Sequence, residues 1–313
     1  MRPIAVLALV AACWTAEALA APAAPQVQLV LCSTPSGASL VHLKLLLLNA
    51  GATPPADAKA LVAFSSAPGG AALELPAPGP RSLAVPLKAS EWPADHIEVL
   101  DLGDVSLAPP CPTVVAVSGG LAGQEMHPLG TLRRGATGAP ASFLRAYPQA
   151  DVAPGGRSHL FVAAAYEPTE DGQFRMKLAC LNCGEKLKAD YDVFLHFELA
   201  PVGTELAATT ALGLFPAGRA TDSSQWSESD LAVAEFGPYC LQAGAPEFIY
   251  LRAGLYNRQG DGARLPIAGP DDTSRALIGR LVTREGRTWF ERAPLPGAQV
   301  PAGWSAPRKG VGQ

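Results

Sequence analysis

Cys180 and Cys183, three residues apart, come nearest in this chain to a chemical motif. A redox Cys-x-x-Cys sets its reactive thiol at a helix N-terminus, where the dipole lowers the thiol pKa. Here the pair closes the run Phe174 to Leu181 and leads into a turn, so that device is missing. A zinc site would need two more ligands at tetrahedral distance, and only Cys240 and His196 offer themselves. The remaining reading is a disulfide, either Cys180 with Cys183 or one of them with Cys240. Cys32 and Cys111 would staple the N-terminal half. Five cysteines follow residue 20, an odd number, so one thiol is left free or bonds another chain.

The other reactive types form no constellation. His42, His96, His127, His159 and His196 are scattered, and no H-E-x-x-H occurs. His196 falls among apolar neighbours and reads as a structural histidine. Ser118 precedes Gly119, but Ala116 stands where a nucleophile elbow requires glycine. Glu170-Asp171 and Asp271-Asp272 read as solvated turns, and Asp261, Asp271 and Asp272 fit no calcium-loop spacing. The expectation is a chain with no catalytic residues, no metal and no cofactor. Binding chemistry falls to Trp226, Arg252 and Tyr256. Aromatic faces stack on sugar rings, and arginine donates to hydroxyls and carboxylates. The segment from Asn257 to Ser274 is a loop in which further binding residues could sit.

These residues need strands to position them. Thirty Pro and 31 Gly punctuate many short apolar runs, which suits an all-β chain rather than a helical one. In Phe174-Arg-Met-Lys-Leu apolar and cationic residues alternate, giving one buried and one wet face. Tyr191 to Leu199 and Phe248 to Tyr256 read as strands, and Leu40 to Leu48 as a buried one. With Trp92 set against Trp226, Glu91 to Leu121 runs without a gap beside Gln225 to Leu255, an offset of 134. Val99 then meets Val233, Gly103 meets Gly237, and Gly120-Leu121 meets Gly254-Leu255. Both copies slip phase at the same point, Leu102 and Phe236, which predicts a β-bulge in each. Leu129-Gly-Thr-Leu132 meets Ile278-Gly-Arg-Leu281 after about fifteen extra residues in the second copy. A period this long is a whole domain rather than a solenoid repeat. The reading is two tandem Ig-like or jelly-roll-type β-sandwiches related by internal duplication. They span residues 26–134 and 157–284, with a linker at 135–156 and a largely disordered tail at 285–313, where Trp289 and Phe290 could add an edge strand. A tryptophan kept in both copies, as Trp92 and Trp226 are, also suits a packing role.

Copy two has a definite order of features: Tyr191-Asp-Val-Phe-Leu-His-Phe197, Trp226, Leu251-Arg-Ala-Gly-Leu-Tyr256, then Gly262-Ala-Arg-Leu-Pro-Ile267. It resembles the β-sandwich module appended to some bacterial membrane glycosyltransferases of the mannosyltransferase type. The resemblance covers about 100 residues of the second domain and, through the repeat, the first more faintly. It implies a sandwich fold and a saccharide-related setting in the cell envelope. The multi-pass membrane domain of those enzymes has no counterpart here, so their activity does not carry over.

Arg2, the apolar run Ile4 to Ala12 and the small-residue site Ala18-Leu19-Ala20 read as a signal peptide over residues 1–20, with Ala21 beginning the mature chain. A rival reading makes Val10-Ala-Ala-Cys13 a lipobox and Cys13 a lipid anchor. The run is too short for a membrane span. A net charge of −4 with 17% charged residues argues against nucleic acid, which calls for a concentrated basic face. The sequence thus predicts an exported protein, periplasmic, secreted or on the cell surface, that binds a glycan or envelope component. The alternative is a structural or protein–protein interaction role in the envelope.

Overall fold

In a computed structural model the described residues are 27–49, 53–73, 75, 83–87, 95–146, 159–169, 172–182, 191–199, 217–220, 231–241, 244–257, 262–265 and 275–293. Among them there are sixteen strands and no helix, so no helix is long and apolar enough to cross a membrane. Numbered along the chain, the strands form four antiparallel sheets. Sheet A has the order β1 (Val27–Pro35), β2 (Leu40–Asn49), β5 (His96–Ser106). Sheet B runs β4 (Leu83–Pro86), β3 (Lys59–Ser65), β6 (Val114–Leu121), β7 (His127–Arg133), β8 (Ser142–Arg145). Sheet C runs β9 (His159–Pro168), β10 (Phe174–Asn182), β13 (Leu231–Tyr239). Sheet D runs β12 (Ala217–Ala220), β11 (Tyr191–Glu198), β14 (Phe248–Asn257), β15 (Ala276–Arg284), β16 (Arg287–Arg292).

The two halves therefore share one strand order, three strands packed on five. β2 and β10, β4 and β12, and β6 and β14 each begin 134 residues apart. The expected bulges are present. Leu43 and Lys44 face Gly103 and Asp101, leaving Leu102 extra on β5. Phe174 and Met176 face Tyr239 and Phe236, leaving an extra residue on β13. Gly103 and Gly237 sit at these bulges with φ of 76° and 108°, a backbone region that costs any residue with a Cβ.

Alternation decides which side of each strand is buried. Val41, Leu43, Leu45 and Leu47 of β2 point with Leu31 into a core shared with Val62, Phe64, Val115, Val117 and Leu132 of sheet B. In the second half, Met176, Leu178 and Phe236 of sheet C pack on Val193, Leu195, Phe197, Leu251 and Leu255 of sheet D. β2 is also apolar on its other side. Leu46 and Leu48, with Val30, Cys32 and Ile97, meet Ala165, Ala179 and Leu181 of sheet C in a third buried layer. The four sheets are thus stacked B, A, C, D, with apolar side chains in all three gaps. Ion pairs rim the middle gap. Glu167 of β9 receives Lys177 at 2.8 Å and faces His96 of β5 at 3.3 Å, and Arg292 of β16 pairs with Asp95. Burial pushes the Glu167 carboxyl up, but the bonds from His96 and Lys177 outweigh it and hold it below the ordinary carboxylate range.

Both five-stranded sheets run past the ends expected from sequence. β8 lies inside the stretch read as a linker, and β16 inside the stretch read as a tail, where it forms the edge strand at Trp289 and Phe290. The two strands do the same job. Phe143 lies over Gly130 of the neighbouring strand and Phe290 over Gly279, with no room for a Cβ at either glycine. Arg145, paired with Gly130, donates from Nε to the Leu31 carbonyl of β1 at 3.4 Å. Arg292, paired with Gly279, donates to the Ala164 carbonyl of β9 at 2.9 Å. In each half a Phe-x-Arg strand thus ties the five-stranded sheet to the edge of the three-stranded one.

Candidate functional site

The outer face of sheet D is the most chemically loaded surface among the described residues. β14 reads Phe248-Ile-Tyr-Leu-Arg-Ala-Gly-Leu-Tyr256. Ile249, Leu251, Ala253 and Leu255 point into the core, which turns Phe248, Tyr250, Arg252 and Tyr256 outward. Register adds Phe194, His196 and Glu198 from β11, Arg280 and Arg284 from β15, and Trp289 and Glu291 from β16. At one end Arg280 stands 4.6 Å and Arg284 5.6 Å from the centre of the Phe248 ring. Arg280 is anchored by Glu291 at 2.6 Å, Arg284 by Glu247 at 2.5 Å, and the Trp289 indole N–H donates to Glu291 at 3.4 Å. Trp289 is 39% exposed, an unusual state for tryptophan, and Phe248 and Tyr250 are half-buried.

The same lattice positions in sheet B are occupied by small or bland residues. Where sheet D has Phe248, Tyr250 and Arg252, β6 has Val114, Ala116 and Ser118. Ala63 and Ser65 stand in place of His196 and Glu198, and Thr131 and Ser142 in place of Arg280 and Trp289. The strand order itself therefore does not require these side chains, since a sheet of the same order stands without them.

Of the three residues singled out from sequence, Arg252 and Tyr256 lie on this face, and Trp226 lies outside the described residues, as do Trp92, Cys13 and residues 1–20. Arg252 does not reach solvent. It is buried against Glu198, which is fully buried and receives Arg252 Nε at 2.9 Å and Arg275 at 2.6 Å. Removing one member of such a buried cluster typically costs about 3–5 kcal/mol, because a charge is stranded. Arg252 thus braces the face through Glu198 rather than presenting a contact. The Tyr256 hydroxyl donates to Asp192 at 3.2 Å, its ring lies 6.0 Å from Phe194, and exposed Arg264 covers Phe194 at 5.1 Å. Arg264 belongs to the segment unique to the second half, where Asn257 N–H reaches the Ala263 carbonyl and Leu265 N–H the Leu255 carbonyl. Sequence reasoning missed Phe248, Tyr250, Arg280 and Trp289. The signal was present in the aromatic and arginine residues at every second place of β14.

The cysteine expectations need correction. Cys32 faces the layer between the sandwiches and Cys111 the core on the opposite side of sheet A, so that sheet separates them. Cys180 is buried six residues along β10 from Phe174, whose partner Tyr239 precedes exposed Cys240. At about 3.3 Å per residue that is roughly 20 Å, far beyond disulfide reach. Neither pair forms, the buried thiols serve as small apolar side chains, and Cys183 lies outside the described residues. His196 packs against Phe194 at 4.6 Å, and no cluster of metal-ligating side chains occurs among the described residues. A concentrated acid–base arrangement lies on sheet A, remote from sheet D. His42 of β2 lies between Asp104, 2.8 Å from Nδ1, and Asp101, 3.0 Å from Nε2. No protein-family model matches the chain, and no curated protein matches it in sequence.

Proposed function

We propose that this is an exported, non-catalytic protein of the cell envelope, built by duplication of a β-sandwich, that binds a glycan or other envelope component through the outer face of sheet D. One observation carries the reading. Aromatic, arginine and carboxylate side chains crowd that face, while the same lattice in sheet B holds Val114, Ala116, Ser118 and Ser142. A packing role would recur in both halves, so a face found in one half is best explained by what it touches. Half-exposed aromatic rings beside anchored guanidinium groups suit a sugar ring, which offers an apolar face and polar edges. The resemblance of the second half to a glycosyltransferase accessory module supports the same ligand class, and the composition of residues 1–20 supports export.

A second reading, a spacer or assembly subunit, is favoured by the apolar layer between sheets A and C, which joins the two sandwiches into one stiff body. A thermal-shift screen of the chain from Ala21 against envelope saccharides separates the two, since a native-state ligand raises the melting point by mass action. The binding reading expects a shift that Trp289→Ala and Phe248→Ala abolish and Leu144→Ala, on sheet B, leaves intact. A panel without any shift would leave the spacer reading in possession.

A further inference from the structure

Resting on the reading above, we infer that the ligand of sheet D is an acidic polysaccharide whose units carry carboxylates. The cations of this face are arginines throughout. On this side β14, β15 and β16 carry Arg252, Arg280, Arg284 and Arg287 and no lysine. A guanidinium fork matches a carboxylate in shape, which an ammonium does not. The protein's own carboxylates already fill such forks. Glu198 takes Arg252 and Arg275, Glu291 takes Arg280, and Glu247 takes Arg284. Exposed Arg264 and Arg287 make no ion pair among the described residues, so among these the face holds two arginines beyond its ion pairs, on a chain of net charge −4.

The two surplus arginines lie at opposite ends of the face. Arg264 is bridged to Tyr256, and Arg287 is paired with Arg284 beyond the Phe248 end. Eight residues of β14 separate Tyr256 from Phe248, roughly 27 Å at ~3.4 Å per residue. One sugar cannot span that distance, whereas a polymer with a charge on each unit meets both ends and lays its rings over Trp289, Phe248 and Tyr250 at the Arg287 end.

Isothermal titration of the chain with polygalacturonate tests this, beside its fully methyl-esterified form, a glycerol-phosphate polymer and polyglutamate. Polygalacturonate is expected to bind, with an affinity that falls as salt rises. The double variant Arg264→Ala, Arg287→Ala should weaken it by about tenfold or more with the melting point unchanged, and Trp289→Ala should weaken it independently. Equal binding of the esterified polymer would overturn the acidic specificity and leave sheet D as a glycan face. Tighter binding of the phosphate polymer would overturn the carboxylate assignment. Binding of polyglutamate alone, insensitive to Trp289→Ala, would overturn it in favour of an acidic protein. No binding of any polymer would remove the sheet D reading itself.

Discussion

At the level of single residues, the clearest electrostatic device is His42 between Asp101 and Asp104. The hydrogen bond to Asp104 leads in raising the His42 pKa above its ordinary value, with Asp101 adding to it against the opposing effect of burial. The backbone N–H of Gly103 leads in holding the Asp101 carboxyl below its usual range. The folded state therefore holds the imidazolium proton more tightly than the unfolded chain. The contribution of His42 is complete below about pH 6.5 and is lost as pH rises through the raised value. That of Asp101 has the opposite sense, present above about pH 3.9 and lost in acid. Both groups are partly exposed and screened, so the effect is small. Thermal melts of wild type and His42→Gln should differ by about 2 °C near pH 6 and converge above pH 8. A gap that stays constant with pH would show that the ring acts through packing alone. Little of this was legible from sequence. His42 stood out only as a polar residue in an apolar strand, because its partners lie 59 and 62 residues away and meet it only through the β2–β5 register.

At the level of elements, the glycines of β7 and β15 are defined by the strands that cover them. Any Cβ at Gly279 would run into the Phe290 ring and the Glu291 carbonyl. Gly279→Ala should destabilise the fold by about 1–3 kcal/mol through overpacking, read as a lower urea midpoint. Phe290→Leu in the same chain should recover part of the loss, and a midpoint unmoved by the single change would mean that β16 does not close the sheet. This pairing explains what was hard to read along the chain. Long strands with strict alternation, such as Phe174 to Leu181 and Phe248 to Tyr256, were visible because alternation is local. The bulges were visible because Leu102 and Phe236 break phase in the same place. β16 was visible only as an edge strand at Trp289 and Phe290 inside a stretch read as tail, and β8 was not visible, since a strand as short as Ser142–Arg145, among Gly, Ala and Pro, carries too few alternations to stand out. Only the repeated Phe-x-Arg, Phe143 to Arg145 and Phe290 to Arg292, marks them. The aromatic face of sheet D was half legible. Arg252 and Tyr256 stand out along the chain, but Trp289 joins Phe248 and Tyr250 only through two strand pairings, which are not local in sequence.

For the molecule as a whole, the decisive feature is that sheets A and C bury their outer faces against each other. Ile97, Leu46 and Leu48 on one side meet Leu181 and Ala179 on the other, so the halves should unfold together. Wild type is expected to give one calorimetric transition, and Ile97→Asp, which puts a carboxylate in this layer, should split it into two or lower one component alone. A single transition at unchanged temperature would mean that the layer couples nothing. The two-sided burial of β2 also bears on processing. A protease that cut once between Ala146 and His159 would break the chain, yet each fragment would keep a greasy wall that only the other can cover. The products should migrate as one particle until denatured. A nicked molecule would still display sheet D at the end of an intact stack, so cleavage there would neither free a half nor silence the face.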